Sequence, residues 1–259
     1  MKMEQREGYI IFNPNKKAKV KLMCFHHAGG SALSFIPLVR TLPKDIETYL
    51  FELPGRGISA NQDFVANFSE AMAYFLPKVI DCMDRPTVFL GHSLGGLFSY
   101  AISGSLSKKQ NYIERVIISA AKSPQTVLEY AIHPEKPFIV RSRDSVKMDI
   151  EALGGIPVDV DDSLLHSIIN ITGNDFHLLD TFTLDGVVKS SFPFELWLGK
   201  YDKAVHEREI YKWREEIQGD FCYRYFNGGH FFISESTEPA DLLKETLLTI
   251  MINIENKIV

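Results

Sequence analysis

The chain has 259 residues, of which 45% are hydrophobic and 24% charged, and its formal net charge is −5. That balance is ordinary for a globular protein able to bury a core without disulfides or metals, and weak acidity is a poor match for nucleic acid, which needs a concentrated basic face. The three cysteines (Cys24, Cys82 and Cys222) are odd in number and widely spaced, which argues against a disulfide framework and against a zinc site, so no metal is expected.

Cys24 and Cys222 lie in strand-like runs and read as buried thiols, as suits a reducing cytoplasm. The opening segment MKMEQREGYIIF has no long apolar run after its charges, which reads against a secretory signal. No apolar stretch is long enough for a bilayer, so no membrane partner is expected. Basic residues gather at Lys108-Lys109 and at Arg141, Arg143 and Lys147; both groups read as solvated surface.

Taken in chain order, short apolar runs alternate with helical patterns. KVKLMCFHHAGG reads as a strand and a glycine loop, ETYLFELPGRG repeats the scheme, and Phe68 to Met83 has helical spacing. PTVFLGHSLGG, ERVIISAAKSP, PFELWLGKYD and DFCYRYFNGGH are the further strand-and-loop units. Strand–helix alternation predicts an α/β fold with a mainly parallel sheet covered by helices.

From about Pro124 to Ser191 no strand is predicted. Asp161 is placed to cap a helix carrying Leu164, Leu165, Ile168 and Ile169, and Asn174 to cap a second carrying Phe176, Leu179 and Phe182. A helical stretch between two strand runs reads as a lid inserted into a single domain spanning 1–259. Leu164, Leu165, Ile168, Ile169, Phe176 and Phe182 are candidates to line an apolar channel beneath it, Leu164, Ile168 and Phe176 first among them.

Gly91-His92-Ser93-Leu94-Gly95 matches the G-x-S-x-G elbow. There the chain turns sharply from strand to helix, and side chains at the two glycines would collide with neighbouring backbone. Chance alone gives roughly 0.09 such pentapeptides in a chain of this length, so the flanking strand PTVFL and the helix-competent LFSYAIS carry much of the weight. A serine nucleophile needs a base and an acid, in the order serine, acid, histidine. His230 follows the last strand run, and Gly228 and Gly229 let its loop fold back. Asp202 follows PFELWLG directly and is the expected acid. Asp175, Asp180 and Asp185 compete by order alone and are expected to cap helices or face solvent. The oxyanion donors are expected at the N–H groups of Leu94 and of Ala28, in the loop after the first predicted strand.

FHHAGG, ELPGRG, GHSLGG and GGHFFI together resemble the type II thioesterases that accompany non-ribosomal peptide and polyketide synthetases. ALGGIP and NDFHLLDTF resemble that family's lid, so the likeness runs from about Lys21 to Leu248. It departs where His26 stands in place of a proline, and at Leu94 and Gly96, where methionine and alanine are frequent. The resemblance implies an α/β-hydrolase fold and hydrolysis of acyl groups from the phosphopantetheine arm of carrier proteins, which restores stalled modules. It implies Ser93, Asp202 and His230 as the triad, Ala28 and Leu94 as oxyanion donors, no cofactor beyond the substrate's own phosphopantetheine, and a monomer whose partners are carrier proteins. The competing readings are a general carboxylesterase or lipase with the same triad, a chain-releasing thioesterase of a synthetase, and a hydrolase-shaped binding protein without turnover.

Overall fold

The computed structural model describes residues 2–106, 110–131, 141–156, 160–187, 189 and 192–258. Lys108, Lys109, Pro157 of ALGGIP and Ser191 at the expected end of the lid lie outside the described residues. Eight strands form one sheet among them: β1 (Met3–Arg6), β2 (Tyr9–Phe12), β3 (Val20–Phe25), β4 (Ile46–Phe51), β5 (Thr87–His92), β6 (Ile113–Ser119), β7 (Phe194–Gly199) and β8 (Phe221–Phe226). Their order across the sheet is β1-β2-β4-β3-β5-β6-β7-β8. The six strands expected from sequence are β3 to β8, and they run parallel. A hairpin of β1 and β2 extends the edge antiparallel to β4.

The central strands are buried on both faces, so their sequences are near-continuous apolar runs. Alternate side chains then serve two cores. Met23, Phe25, Phe51 and Phe89 join α2 and α3 residues on one face. Leu22, Cys24, Val88, Leu90 and Trp197 join Leu243 and Leu247 of the last helix on the other. The helices are α1 (Ile36–Val39), α2 (Phe68–Cys82), α3 (Leu94–Ser105), α4 (Pro124–Tyr130), α5 (Arg143–Ala152), α6 (Asp162–Asp180), α7 (Arg208–Glu216), α8 (Phe232–Glu235) and α9 (Glu238–Ile258).

Between β6 and β7 the described residues contain α4, α5 and α6 and no strand. Asp161 caps α6 as expected, its carboxylate accepting the Leu164 N–H at 2.8 Å. Asn174 caps nothing. It lies inside one continuous helix, and its amide donates to the Asn170 carbonyl at 2.9 Å. The inward stripe of Leu165, Ile169, Thr172, Phe176 and Leu179 keeps helical spacing straight through the expected break. Burying that stripe outweighs the local preference of Gly173-Asn174 for a break.

Three further expectations are corrected. Cys222 is exposed, because β8 is the last strand of the sheet and most of its positions are uncovered. Asp175 and Asp180 are buried rather than solvated, each facing a guanidinium. The basic group at 141–147 is partly paired: Arg141 to Asp180 at 2.7 Å and to Asp149 at 3.7 Å, and Lys147 to Glu151 at 3.7 Å.

Candidate active site

The site lies at the carboxyl ends of β3, β5, β7 and β8, where loops leave a parallel sheet. Ser93 sits between β5 and α3 with φ 54° and ψ −116°, a conformation that non-glycine residues rarely adopt. The elbow glycines are sterically required. A Cβ on Gly91 would collide with the Gly95 carbonyl, and one on Gly95 with the Phe25 carbonyl. The Ser93 N–H donates to the Ser119 carbonyl at 2.7 Å, which ties the elbow to β6.

His230 is buried in the loop after β8, and its Nε2 lies 3.1 Å from Ser93 Oγ. Its Nδ1 lies 2.8 Å from Asp202 Oδ2. A carboxylate only accepts, so Nδ1–H donates to Asp202 and Nε2 keeps its lone pair for the serine hydroxyl. Asp202 is itself fixed, because its Oδ1 accepts the N–H groups of Ala204 at 2.8 Å and Val205 at 3.3 Å. The two loops meet because the backbone is unobstructed. Gly228 has φ +138°, and a Cβ on Gly199 would strike the Gly229 carbonyl. Gly199, the last residue of β7, has a role the sequence reading missed. The signal was its place at the strand end, three residues before Asp202.

Ala28 is half-buried in the loop after β3, and Leu94 is buried as the first residue of α3. Among the described residues neither N–H has an acceptor. The first amides of a helix have no intrahelical partner and favour negative charge, so Leu94 is free to donate. Two more imidazoles, those of His92 and His27, crowd the site, and His26 lies behind His27. His92 Nδ1 lies 2.9 Å from Ser119 Oγ, and its ring centre lies 5.5 Å from that of His230. Burial holds His92 well below the usual imidazole range. It likewise pushes His26 and His27 down to about 3, aided at His26 by the Arg56 charge and at His27 by the neighbouring histidines. These rings stay neutral and do not add a positive field next to His230.

A cavity of about 380 Å³ opens on Ser93 and His230. Its apolar lining includes Leu97, Val127, Leu153, Phe176 and Leu179, and its charged lining Lys122, Arg141, Asp180 and Lys203. Of the six lid candidates, Phe176 reaches this cavity, whereas Leu165 and Ile169 pack in the insertion's own small core and Phe182 joins the core of the sheet. Leu164 is half exposed, and Ile168 packs in a small separate cluster with Val146, Ile150 and Ile169. Leu164 and Ile168 are displaced because the outer part of α6 faces α5 rather than the sheet. Sequence reasoning also missed the cavity's Leu153, Leu179, Lys122 and Lys203. Among the described residues no cluster of side chains could hold a metal ion, and no helix is long and apolar enough to cross a membrane.

A family model for the thioesterase domain matches residues 20–247. The chain is 26% identical over 232 residues to the "Probable cadicidin biosynthesis thioesterase" of Streptomyces griseus, covering 89% of this chain and 63% of that protein, so it spans less than two thirds of that relative. It is 26% identical over 234 residues to the gramicidin S biosynthesis protein GrsT of Aneurinibacillus migulanus, covering 88% of each. In three dimensions it matches the type II thioesterase BorB from the borrelidin biosynthetic cluster with a TM-score of 0.79 at 20% identity, over 93% of this chain and 98% of that one. At that identity the likeness establishes a shared α/β-hydrolase fold. With a strand–elbow–helix at Ser93 and a family match over most of its length, this chain belongs to the thioesterase domain family.

Proposed function

We propose that this chain is a type II thioesterase that hydrolyses acyl groups from the phosphopantetheine arm of carrier proteins, acting in the cytoplasm to clear stalled synthetase modules. The observation that carries this reading is the contact series Ser93 Oγ–His230 Nε2–Asp202 Oδ2, at 3.1 and 2.8 Å, facing an apolar cavity. His230 Nε2 takes the Ser93 proton as Oγ attacks the thioester carbonyl. The N–H groups of Ala28 and Leu94 hold the oxyanion. The carbon–sulfur bond breaks, and the pantetheine sulfur leaves with the proton from His230. Water then attacks the acyl-serine, His230 takes its proton, and the acid departs as that proton returns to Ser93. Asp202 orients the imidazole and stabilises its charged form. No cofactor of the protein's own enters the scheme.

The domain reading is one α/β-hydrolase unit with a lid over about 124–191, acting as a monomer. A carrier supplies binding energy far from the scissile bond, and that energy raises turnover when it orders the lid over the site. The test compares kcat/KM for one short acyl group on a carrier protein, on coenzyme A and on a simple alcohol, at two ionic strengths. The carrier is expected to be the best donor, with part of its advantage lost in salt as Lys122 and Lys203 are screened. Ser93→Ala is expected to abolish turnover, and a serine-directed phosphonate to label Ser93. Equal values on carrier and free thiol, or a preference for the oxygen ester, replace this reading with a general esterase.

A further inference from the structure

The loop that presents Ala28 has little internal support. Within residues 27–30 its one backbone hydrogen bond runs from the Gly30 N–H to the His27 carbonyl at 3.0 Å. His26 Nδ1 holds its first carbonyl, that of His27, at 2.7 Å, and the two glycines are held by side chains from distant parts of the chain. Asp175 Oδ2 accepts the Gly29 N–H at 2.7 Å, and Arg56 Nη1 reaches the Gly30 carbonyl at 3.4 Å. These two side chains also pair with each other: Arg56 Nη2 donates to Asp175 Oδ1 at 2.6 Å, and Nη1 donates to Oδ2. Asp175 belongs to α6 and is 1% exposed; Arg56 follows β4 and is 4% exposed. One turn earlier on α6, Thr172 lies so close to Gly29 that a Cβ there would collide with its hydroxyl, and Gly29 needs φ +78° in any case.

A buried ion pair is a weak device for stability alone, since apolar residues of the same volume often do as well. This pair does something apolar residues cannot. It fixes the N–H of Gly29 and the carbonyl of Gly30, the two positions following Ala28. The Gly29 amide is thereby occupied, and Ala28 is left as the unbonded amide of the two. Lifting this part of α6 would break the Gly29 bond and strand two buried charges. We propose that Arg56 and Asp175 are positioning residues that tie the docked state of α6 to the placement of the Ala28 oxyanion donor. The inference rests on the serine mechanism above.

The test uses the full chain and a short acyl thioester of N-acetylcysteamine, a donor too small to need carrier contacts. Active sites are counted with a phosphonate. Affinity is measured for a trifluoromethyl ketone whose Ser93 adduct carries an oxyanion. Asp175→Ala is expected to lower kcat by about 10²–10³-fold, as losing one oxyanion donor does, with KM changed far less and ketone affinity falling in step. Asp175→Asn keeps an acceptor for Gly29 and is expected to lose on the order of tenfold, so it carries the test if the alanine variant does not fold. The pair Arg56→Gln/Asp175→Asn, which removes the stranded charge, is expected to recover part of that loss. Variants that melt earlier yet keep wild-type kcat per active site and wild-type ketone affinity overturn the inference while leaving the serine mechanism standing. A wild-type rate in Ser93→Ala overturns both.

Discussion

The strand ends and the helical insertion are built to different tolerances. Ser93, Asp202 and His230 leave the ends of β5, β7 and β8, strands joined by a continuous parallel ladder and backed by two large cores. The insertion has a small core of its own, whose buried members are Val146, Ile150 and Ile169. Helix α6 belongs to both regions. Its outer half packs on α5, whereas Leu178 joins the core of the sheet and Asp175 is bound to Arg56. Proton transfer requires groups held to within about 0.5 Å of their productive positions, which a hydrogen-bonded sheet provides. The insertion, with its sparse burial, can open at lower free energy than the sheet.

The sharpest way to break this contrast is at the rigid side. Asp202→Asn should leave the fold intact and lower kcat by about 10⁴-fold, because the amide favours the wrong imidazole tautomer. Steady-state kinetics on any accepted thioester will show it. A loss of tenfold or less would mean that the fixed frame does not need its acid.

Truncations of similar chemistry in the two halves of the insertion come next. Leu178→Ala should cost about 2–5 kcal/mol of global stability, read as a lower melting temperature. Ile150→Ala should change global melting much less and instead speed amide exchange and proteolysis across α5 and the start of α6. Equal shifts in melting temperature would show that the insertion and the sheet unfold as one unit.

The smallest effect concerns the loop that joins the two regions. His26 lies beneath it, accepting the Leu53 N–H at 3.2 Å through Nε2 while Nδ1 donates to the His27 carbonyl at 2.7 Å. Burial, then the Arg56 charge, brings its pKa from 6.5 to about 3. Between those values the unfolded chain binds a proton that the folded chain refuses. Stability is therefore full above pH 6.5 and falls with pH by about 1.4 kcal/mol per unit on account of this group. Urea midpoints from pH 7 to 4 should slope less in His26→Gln than in the parent chain. An unchanged slope would place the acid sensitivity elsewhere.

Much of the site was legible because its constraints are local. Gly91 must clear the start of its own helix, and the elbow needs a strand before it and a helix after it, all of which is written in adjacent residues, whereas Gly95 is required by the end of β3, which only the sheet brings beside it. Asp202 and His230 could be chosen because each follows a strand run in the required order. The hairpin β1–β2 was not legible, since β1 is exposed throughout and has no buried face to impose a pattern. Cys222 reads as a core residue within FCYRYF until the sheet is seen to end there. Asp175 reads as a cap or a solvated charge because Arg56, which neutralises it, lies 119 residues away. Which parallel strands and which strand–elbow–helix the chain has follows mostly from near neighbours in sequence; which charges it buries and how far α6 runs depended on partners that only the closed fold brings within bonding distance.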